Sequence, residues 1–244
     1  MTQPRTPRTD APPVPFRVSG AAATGSILQP LNSSMIAVAI VGIAADFGSP
    51  SGVSWVISAM YITTAVCAPM AGRLGILFGA RRVFVAGLIL VCLGSTIGMA
   101  APDVTWLIVA YVVLGVGISV HMPNAMTMIR GYAERYGRQP RTAITTLVVC
   151  GQSVAALGPT LGGLLVGTFG WQSILWVNIP VAAVSAIAIL RADVGFVGSD
   201  STSVREAVHT LDFAGIVLFL VTITSMMLFL ISLRDTPMWG LLPV

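Results

Sequence analysis

The sequence predicts an all-α fold: a polytopic transmembrane helical bundle of about seven spans. Three observations predict it. Apolar stretches of about 20 residues recur along the chain, the length a helix needs to cross a hydrocarbon core of about 30 Å. The 244 residues are 55% hydrophobic and only 9% charged, with a mean hydropathy of +0.89, whereas a soluble domain is about one quarter charged. Nearly every arginine falls in alternate gaps between the apolar stretches, the pattern of a helical membrane protein with a fixed orientation. Helices follow rather than strands, because lipid offers backbone groups no partner outside the chain. The period-2 alternation of a barrel is absent.

The elements follow in order. Residues 1–20, rich in Pro, Thr and Arg, read as a disordered cytoplasmic tail. A first span over 22–46 is interrupted by Gln29, Asn32, Ser33 and Ser34. Ala37-Val38-Ala39 resembles a signal cleavage site, but the apolar run continues to Phe47, longer than a signal core, so it reads as a span. Clear apolar runs follow over 53–74, 83–101, 106–128 and 143–167. The sixth, 174–192, is short and carries Asn178 and Pro180 near its start. Residues 21–192 are thus expected to form a six-helix bundle. A cytoplasmic loop over 193–210 then leads to a seventh span within 211–244, with Asp212 placed to cap its free amides and a short outer tail after it.

The gaps assign the sides. Arg5, Arg8 and Arg17 precede the first span; Arg73, Arg81 and Arg82 bound the second gap; Arg130, Arg135, Arg138 and Arg141 bound the fourth; Arg191 and Arg205 flank the sixth. Gaps 48–52, 102–105 and 169–173 hold no basic residue. Twelve of the thirteen arginines therefore share one side, expected to be cytoplasmic. Trp106, Trp171 and Trp239 fall at the opposite boundary, where indole rings prefer to sit. This topology puts the N-terminus in the cytoplasm of an integral plasma (inner) membrane protein, and the C-terminus outside.

Several chemistries are excluded. Cys67, Cys92 and Cys150 lie far apart inside apolar stretches, without the spacing of a zinc or redox site; they read as buried small hydrophobes. No nucleophile elbow, metalloprotease pair or phosphate loop occurs, so no catalytic residue, metal or cofactor is expected and the chain does not read as an enzyme. The net charge of +4 comes from arginines flanking apolar stretches rather than from a basic face, which excludes a nucleic-acid partner.

Four groups of residues stand out. Gln29, Asn32 and Ser33 are spaced to share one face of the first span, either lining a cavity or bonding a neighbouring helix. His121, about fifteen residues into the fourth span, is a titratable side chain within the membrane, and such a group marks function or is held neutral by a neighbouring helix. In the fifth span Gly151, Gly158 and Gly162 share one face, and Pro159 and Gly163 make an adjacent ridge of small residues, which lets another helix approach closely. Pro159 also removes a helical hydrogen bond and is expected to bend the span. The second gap, from Gly72 and Arg73 through Gly79 to Arg81 and Arg82, reads as a tight glycine-bounded turn with basic residues after it.

Four segments over residues 28–180 together resemble the major facilitator superfamily, of the multidrug:proton antiporter type with fourteen spans. Leu31-Asn32-Ser33-Ser34-Met35-Ile36-Ala37-Val38-Ala39-Ile40 resembles that group's opening motif. The loop Gly72-Arg73-Leu74-Gly75-Ile76-Leu77-Phe78-Gly79-Ala80-Arg81-Arg82 resembles the superfamily loop between spans two and three. Leu114-Gly115-Val116-Gly117 resembles the fourth-span motif, and Gly151-Gln152-Ser153 through Gly158-Pro159-Thr160-Leu161-Gly162-Gly163 the antiporter motif of span five. Gly170-Trp171 and Asn178-Ile179-Pro180 match the segment that follows. The family usually carries charge where this chain has Ile76, Leu77 and Tyr111, and many relatives carry an aspartate at Asn32; this chain is neutral at all four.

The resemblance implies the N-terminal half of a drug-exporter-like secondary carrier, moving a small amphipathic molecule across the bilayer. Its cavity wall would hold Gln29, Asn32, Ser33, Tyr111, His121 and Gln152. Two bundles rocking around one midplane site are needed for alternating access, so a separate C-terminal half or a second copy is the expected partner, beside lipid and substrate. A transport-inactive remnant, or a membrane-embedded regulatory or assembly protein, is the alternative.

Overall fold

The computed structural model describes residues 11–48 and 50–192, with Gly215, Leu218, Val221, Thr222, Ser225 and Met226. The expected loop 193–210, with Arg205, lies outside the described residues, as do Asp212, Trp239 and most of the seventh span. Nine helices are described: α1 (Phe16–Ser26), α2 (Leu28–Phe47), α3 (Pro50–Phe78), α4 (Ala80–Met99), α5 (Val104–Ser119), α6 (His121–Tyr136), α7 (Arg141–Phe169), α8 (Ser173–Trp176) and α9 (Asn178–Arg191). They make six rods long and apolar enough to cross a membrane: Phe16–Phe47, Gly52–Phe78, Ala80–Met99, Val104–Tyr136, Arg141–Phe169 and Ser173–Arg191. Numbered in this order as spans one to six, each coincides with an apolar stretch of the sequence.

The boundary of span one differs from expectation. Helix begins at Phe16, inside the stretch expected to be tail. Pro15 supplies a first-turn φ of −59°, and Val14 and Val18 are buried. The chain before it is also tied down. The Gln139 N–H donates to the Pro12 carbonyl at 3.1 Å, the Val14 N–H to the Gln139 carbonyl at 3.2 Å, and the Arg138 guanidinium to the Pro13 carbonyl at 3.3 Å. Pro13 and Gln139 form an isolated parallel bridge, and no strand occurs among the described residues.

Three spans are broken, each three residues before a proline. Span one breaks at Ile27 before Pro30, span four at Val120 before Pro123, and span six at Val177 before Pro180. Each proline has no N–H for the carbonyl four residues back, and its ring crowds that carbonyl. By contrast α3 and α7 run unbroken through Pro69 and Pro159.

Glycines set how closely the rods pack. A Cβ on Gly117 would lie 2.8 Å from the Gly87 carbonyl oxygen, and one on Gly94 2.7 Å from the Leu114 nitrogen. Spans three and four therefore meet backbone to backbone, the approach that small residues permit. At the turn between spans two and three Gly79 has φ +92°, a conformation open to glycine, which lets α3 and α4 follow each other with a single residue between them.

Candidate functional site: a cleft between spans one, four and five

A cleft of about 340 Å³ opens where spans one and four are both broken. Ser26, Gln29, Pro30 and Ser33 of span one line it, with Met122 of span four and Leu147, Val148, Gly151 and Gln152 of span five. Gln29 and Ser33 stand four residues apart in α2, on one side of the rod. They reach the cleft because span five lies against span one through its glycines. Gly158 rests on Ser34, so close that a Cβ there would overlap the Ser34 hydroxyl, and a Cβ on Gly162 would lie 3.2 Å from the Met35 Cα. Gly151 faces Pro30 and Gly163 faces Val38, each at ordinary contact distance. Pro159 lies inside the continuous α7.

Three of the six expected cavity residues are therefore together: Gln29, Ser33 and Gln152. The other three lie elsewhere. Asn32 is one residue from Ser33, hence about 100° round the helix, and turns toward span six. Its amide exchanges reciprocal hydrogen bonds of 2.8 and 2.9 Å with Asn178, and Asn178 also donates to the Ser95 hydroxyl of span three at 3.0 Å. Asn178 is wholly buried, so this network satisfies amides that would otherwise be costly to bury. Tyr111 is 1% exposed, and its hydroxyl has no hydrogen-bond partner among the described residues. His121 is also 1% exposed and stands edge-on to Phe84 of span three, with ring centroids 4.7 Å apart. It points away from the cleft that its neighbour Met122 lines.

The segment expected as a glycine-bounded turn is largely helical: Gly72 and Arg73 belong to the end of α3, Arg81 and Arg82 to the start of α4, and only Gly79 lies between the helices; its glycines dock span two on the lower half of span four. A Cβ on Gly72 would lie 3.7 Å from Pro123, and one on Gly75 would collide with the Asn124 carboxamide. Asn124, fully buried, donates to the Ala71 carbonyl at 3.2 Å and to that of Val120 at 2.7 Å. Arg81 donates to the Leu190 carbonyl at 2.8 Å, capping the end of span six, while Arg73 and Arg82 are exposed. Ile76, where the resemblance expects a carboxylate, is 60% exposed. Sequence reasoning overlooked Asn124 and Ser95; an amide next to the helix-breaking Pro123 was the available signal for the first.

At the opposite end, Trp171 is buried rather than lipid-facing. Its indole N–H donates to the Asp46 carboxylate and its ring lies 5.7 Å from that of Phe47, joining span one to the turn before span six. Trp106 is exposed, one turn into a helix whose first amides are capped by Asp103 at 2.9 Å. Cys67, Cys92 and Cys150 are half-buried. Among the described residues no three His, Cys, Asp or Glu side chains gather as a metal site would require.

The cleft offers two carboxamides and two serine hydroxyls, that of Ser26 already donating to the Ala22 carbonyl at 2.9 Å, on an otherwise apolar wall, with no ionisable side chain among its lining residues. Its volume lies within the range of small-molecule sites. Such a surface orients a neutral or amphipathic molecule by hydrogen bonds and apolar contact.

The family model of the Major Facilitator Superfamily matches residues 22–244. The Bacillus subtilis (strain 168) protein named "Uncharacterized MFS-type transporter YwoD" is 34% identical over 221 residues, 89% of this chain and 47% of that protein. The "Multidrug transporter protein MdtP" of the same organism is 30% identical over 198 residues, 81% of this chain and 35% of that protein. The "Methylenomycin A resistance protein" of Streptomyces coelicolor (strain ATCC BAA-471 / A3(2) / M145) is 30% identical over 173 residues, 70% and 36% respectively. The chain thus spans about half the length of the first of these relatives and about a third of the other two. Among solved structures, the human organic anion transporter MFSD10 superposes with a TM-score of 0.52 at 16% identity, over 80% of this chain and 53% of that one; the likeness is one of fold.

Proposed function

The chain belongs to the major facilitator superfamily, and from that premise we propose that its six-span bundle is one wall of a drug-exporter-like secondary carrier for a small amphipathic molecule. The observation that carries this reading is the cleft at the coincident breaks of spans one and four. Interrupted helices in corresponding positions of two repeats point to a transporter's binding site, and spans one and four open the two three-span halves of the bundle. In this reading Gln29, Ser33 and Gln152 orient the substrate, and Gly151, Gly158 and Gly162 hold span five close enough for Gln152 to take part. The relatives named for multidrug transport and antibiotic resistance support the substrate class. A second bundle, from a C-terminal half or a second copy, closes the cleft from the other side. The working site is the plasma membrane, with the arginine-bearing side in the cytoplasm. With Ile76, Leu77, Tyr111 and Asn32 neutral, the coupling charge is supplied from outside this bundle.

The test is accumulation of a fluorescent cationic dye in an efflux-deficient bacterial host. The chain alone should leave accumulation unchanged, whereas co-expression with a matching second bundle should lower it. Gln29→Leu and Gln152→Leu should each then cut export about tenfold, the net worth of one lost hydrogen bond. Efflux by the purified chain alone in liposomes would overturn the need for a distinct second bundle and point to a carrier made of two copies. Unchanged export in both leucine variants would remove the cleft from the substrate path. Failure of export with every partner would favour a membrane protein that does not transport.

A further inference from the structure

A second hollow is larger than the cleft. A groove of about 840 Å³ lies between spans one, five and six on the arginine-bearing side. Span five separates it from the cleft: Val149 and Ser153 face the groove while Val148 and Gly151 face the cleft, on different sides of the α7 rod. Apart from the Ser153 hydroxyl, its walls are apolar. The Thr24 and Thr146 hydroxyls that reach it are bonded back to their own helices, to the Ala21 carbonyl at 2.8 Å and the Thr142 carbonyl at 2.9 Å, so they present methyl groups. At one end stand Arg17 and Arg191, both exposed. Neither guanidinium has a hydrogen-bond or ion-pair partner among the described residues. The end of span six is already capped by Arg81 on Leu190, so Arg191 is not committed to that task. From Arg17 to Ile27 the groove follows span one for ten residues, roughly 15 Å at the helical rise. That is one leaflet of a bilayer core.

We propose that this groove binds an anionic phospholipid, with an acyl chain lying along α1 and the phosphate held between Arg17 and Arg191. Basic pockets between spans hold anionic headgroups by charge-assisted hydrogen bonds, and an apolar channel one leaflet deep fits the chain beneath. The two arginines mark the headgroup level, and the lipid fills the gap that span one leaves between spans five and six.

The test uses the purified full chain in detergent, titrated with phosphatidylglycerol or with phosphatidylcholine of identical acyl chains, bound lipid being counted by native mass spectrometry. One phosphatidylglycerol should be retained at a concentration on the order of tenfold below that needed for phosphatidylcholine. The double variant R17Q/R191Q should bring the two lipids to parity. R130Q, whose arginine does not line the groove, should keep the preference. V149W, a change at a half-exposed position, should fill the groove and abolish retention of both lipids. Equal retention by the native chain, or an undiminished preference in R17Q/R191Q, would overturn the proposal. So would lipid retention by V149W equal to the native chain's, which would mean that lipid sits elsewhere or that another part of the chain occupies the groove.

Discussion

A single residue step decides what Asn32 does. Gln29 and Ser33 look into the cleft, whereas Asn32 is locked to Asn178 and, through it, to Ser95. The polar run in span one was legible in the sequence. Its division between cleft and network was not, because the deciding partner lies 146 residues downstream and a helix wheel carries no information about another helix. His121 illustrates the same limit: its rarity within the membrane marked it, but only the packing reveals Phe84 beside it. The network is testable by its asymmetry. Asn178→Leu leaves the Asn32 side-chain oxygen without its donor, although the Asn32 amide N–H keeps the Leu28 carbonyl, and should destabilise the protein by about 1–3 kcal/mol. Asn32→Leu combined with Asn178→Leu removes both polar groups and should recover part of that loss. Thermal unfolding in detergent checks both, and a double variant worse than the sum of the singles would contradict a mutually satisfied pair.

Helices are where the sequence spoke most clearly. Long apolar runs and alternating arginines were enough to count six spans over the described region. The start of span one was missed by several residues, because Pro12, Pro13, Pro15 and Arg17 carry a loop's composition while Val14 and Val18 do the burying. The breaks were not anticipated either: five prolines fall within the six rods, and only three interrupt them. Glycine spacing in span five was visible in the sequence; its partner surface on Ser34 and Met35 was not. Gly158→Leu forces a side chain into the Ser34 hydroxyl and should sharply lower folded yield in detergent. Gly167→Leu, with open space before it, should leave yield unchanged. Equal yields would mean that the two spans part without cost. Pro30→Ala restores the hydrogen-bond donor that Ser26 lacks, and interior proline costs a helix about 3 kcal/mol. The variant should therefore melt at a higher temperature, while straightening span one removes the bend that opens the cleft and lowers export. A lower melting temperature would show instead that the break is needed for packing.

For the molecule as a whole, orientation rests on charge. Cysteines introduced at Arg81 and Arg138 should react with a membrane-impermeant maleimide only after permeabilisation of intact cells. A cysteine at Asp103 should react without it. The reverse pattern would invert the topology and carry the arginine-lined groove to the other leaflet. Both ends of span one are fastened to late parts of the chain: Pro12 and Val14 to Gln139, Asp46 to Trp171, and Asn32 between them to Asn178. That has a consequence for synthesis. At roughly 5–20 residues per second, the 146 residues that separate Asn32 from Asn178 take about 7–30 s to make. During that interval the Asn32 amide has only the Leu28 carbonyl of its own helix, at 2.8 Å, and lacks its partner in span six, while the ends of the span stay unanchored for most of the time. The earliest helix to enter the membrane is therefore among the last to be secured, and it is the nascent chain's most exposed element to quality-control proteases and to insertion chaperones that shield polar groups in lipid.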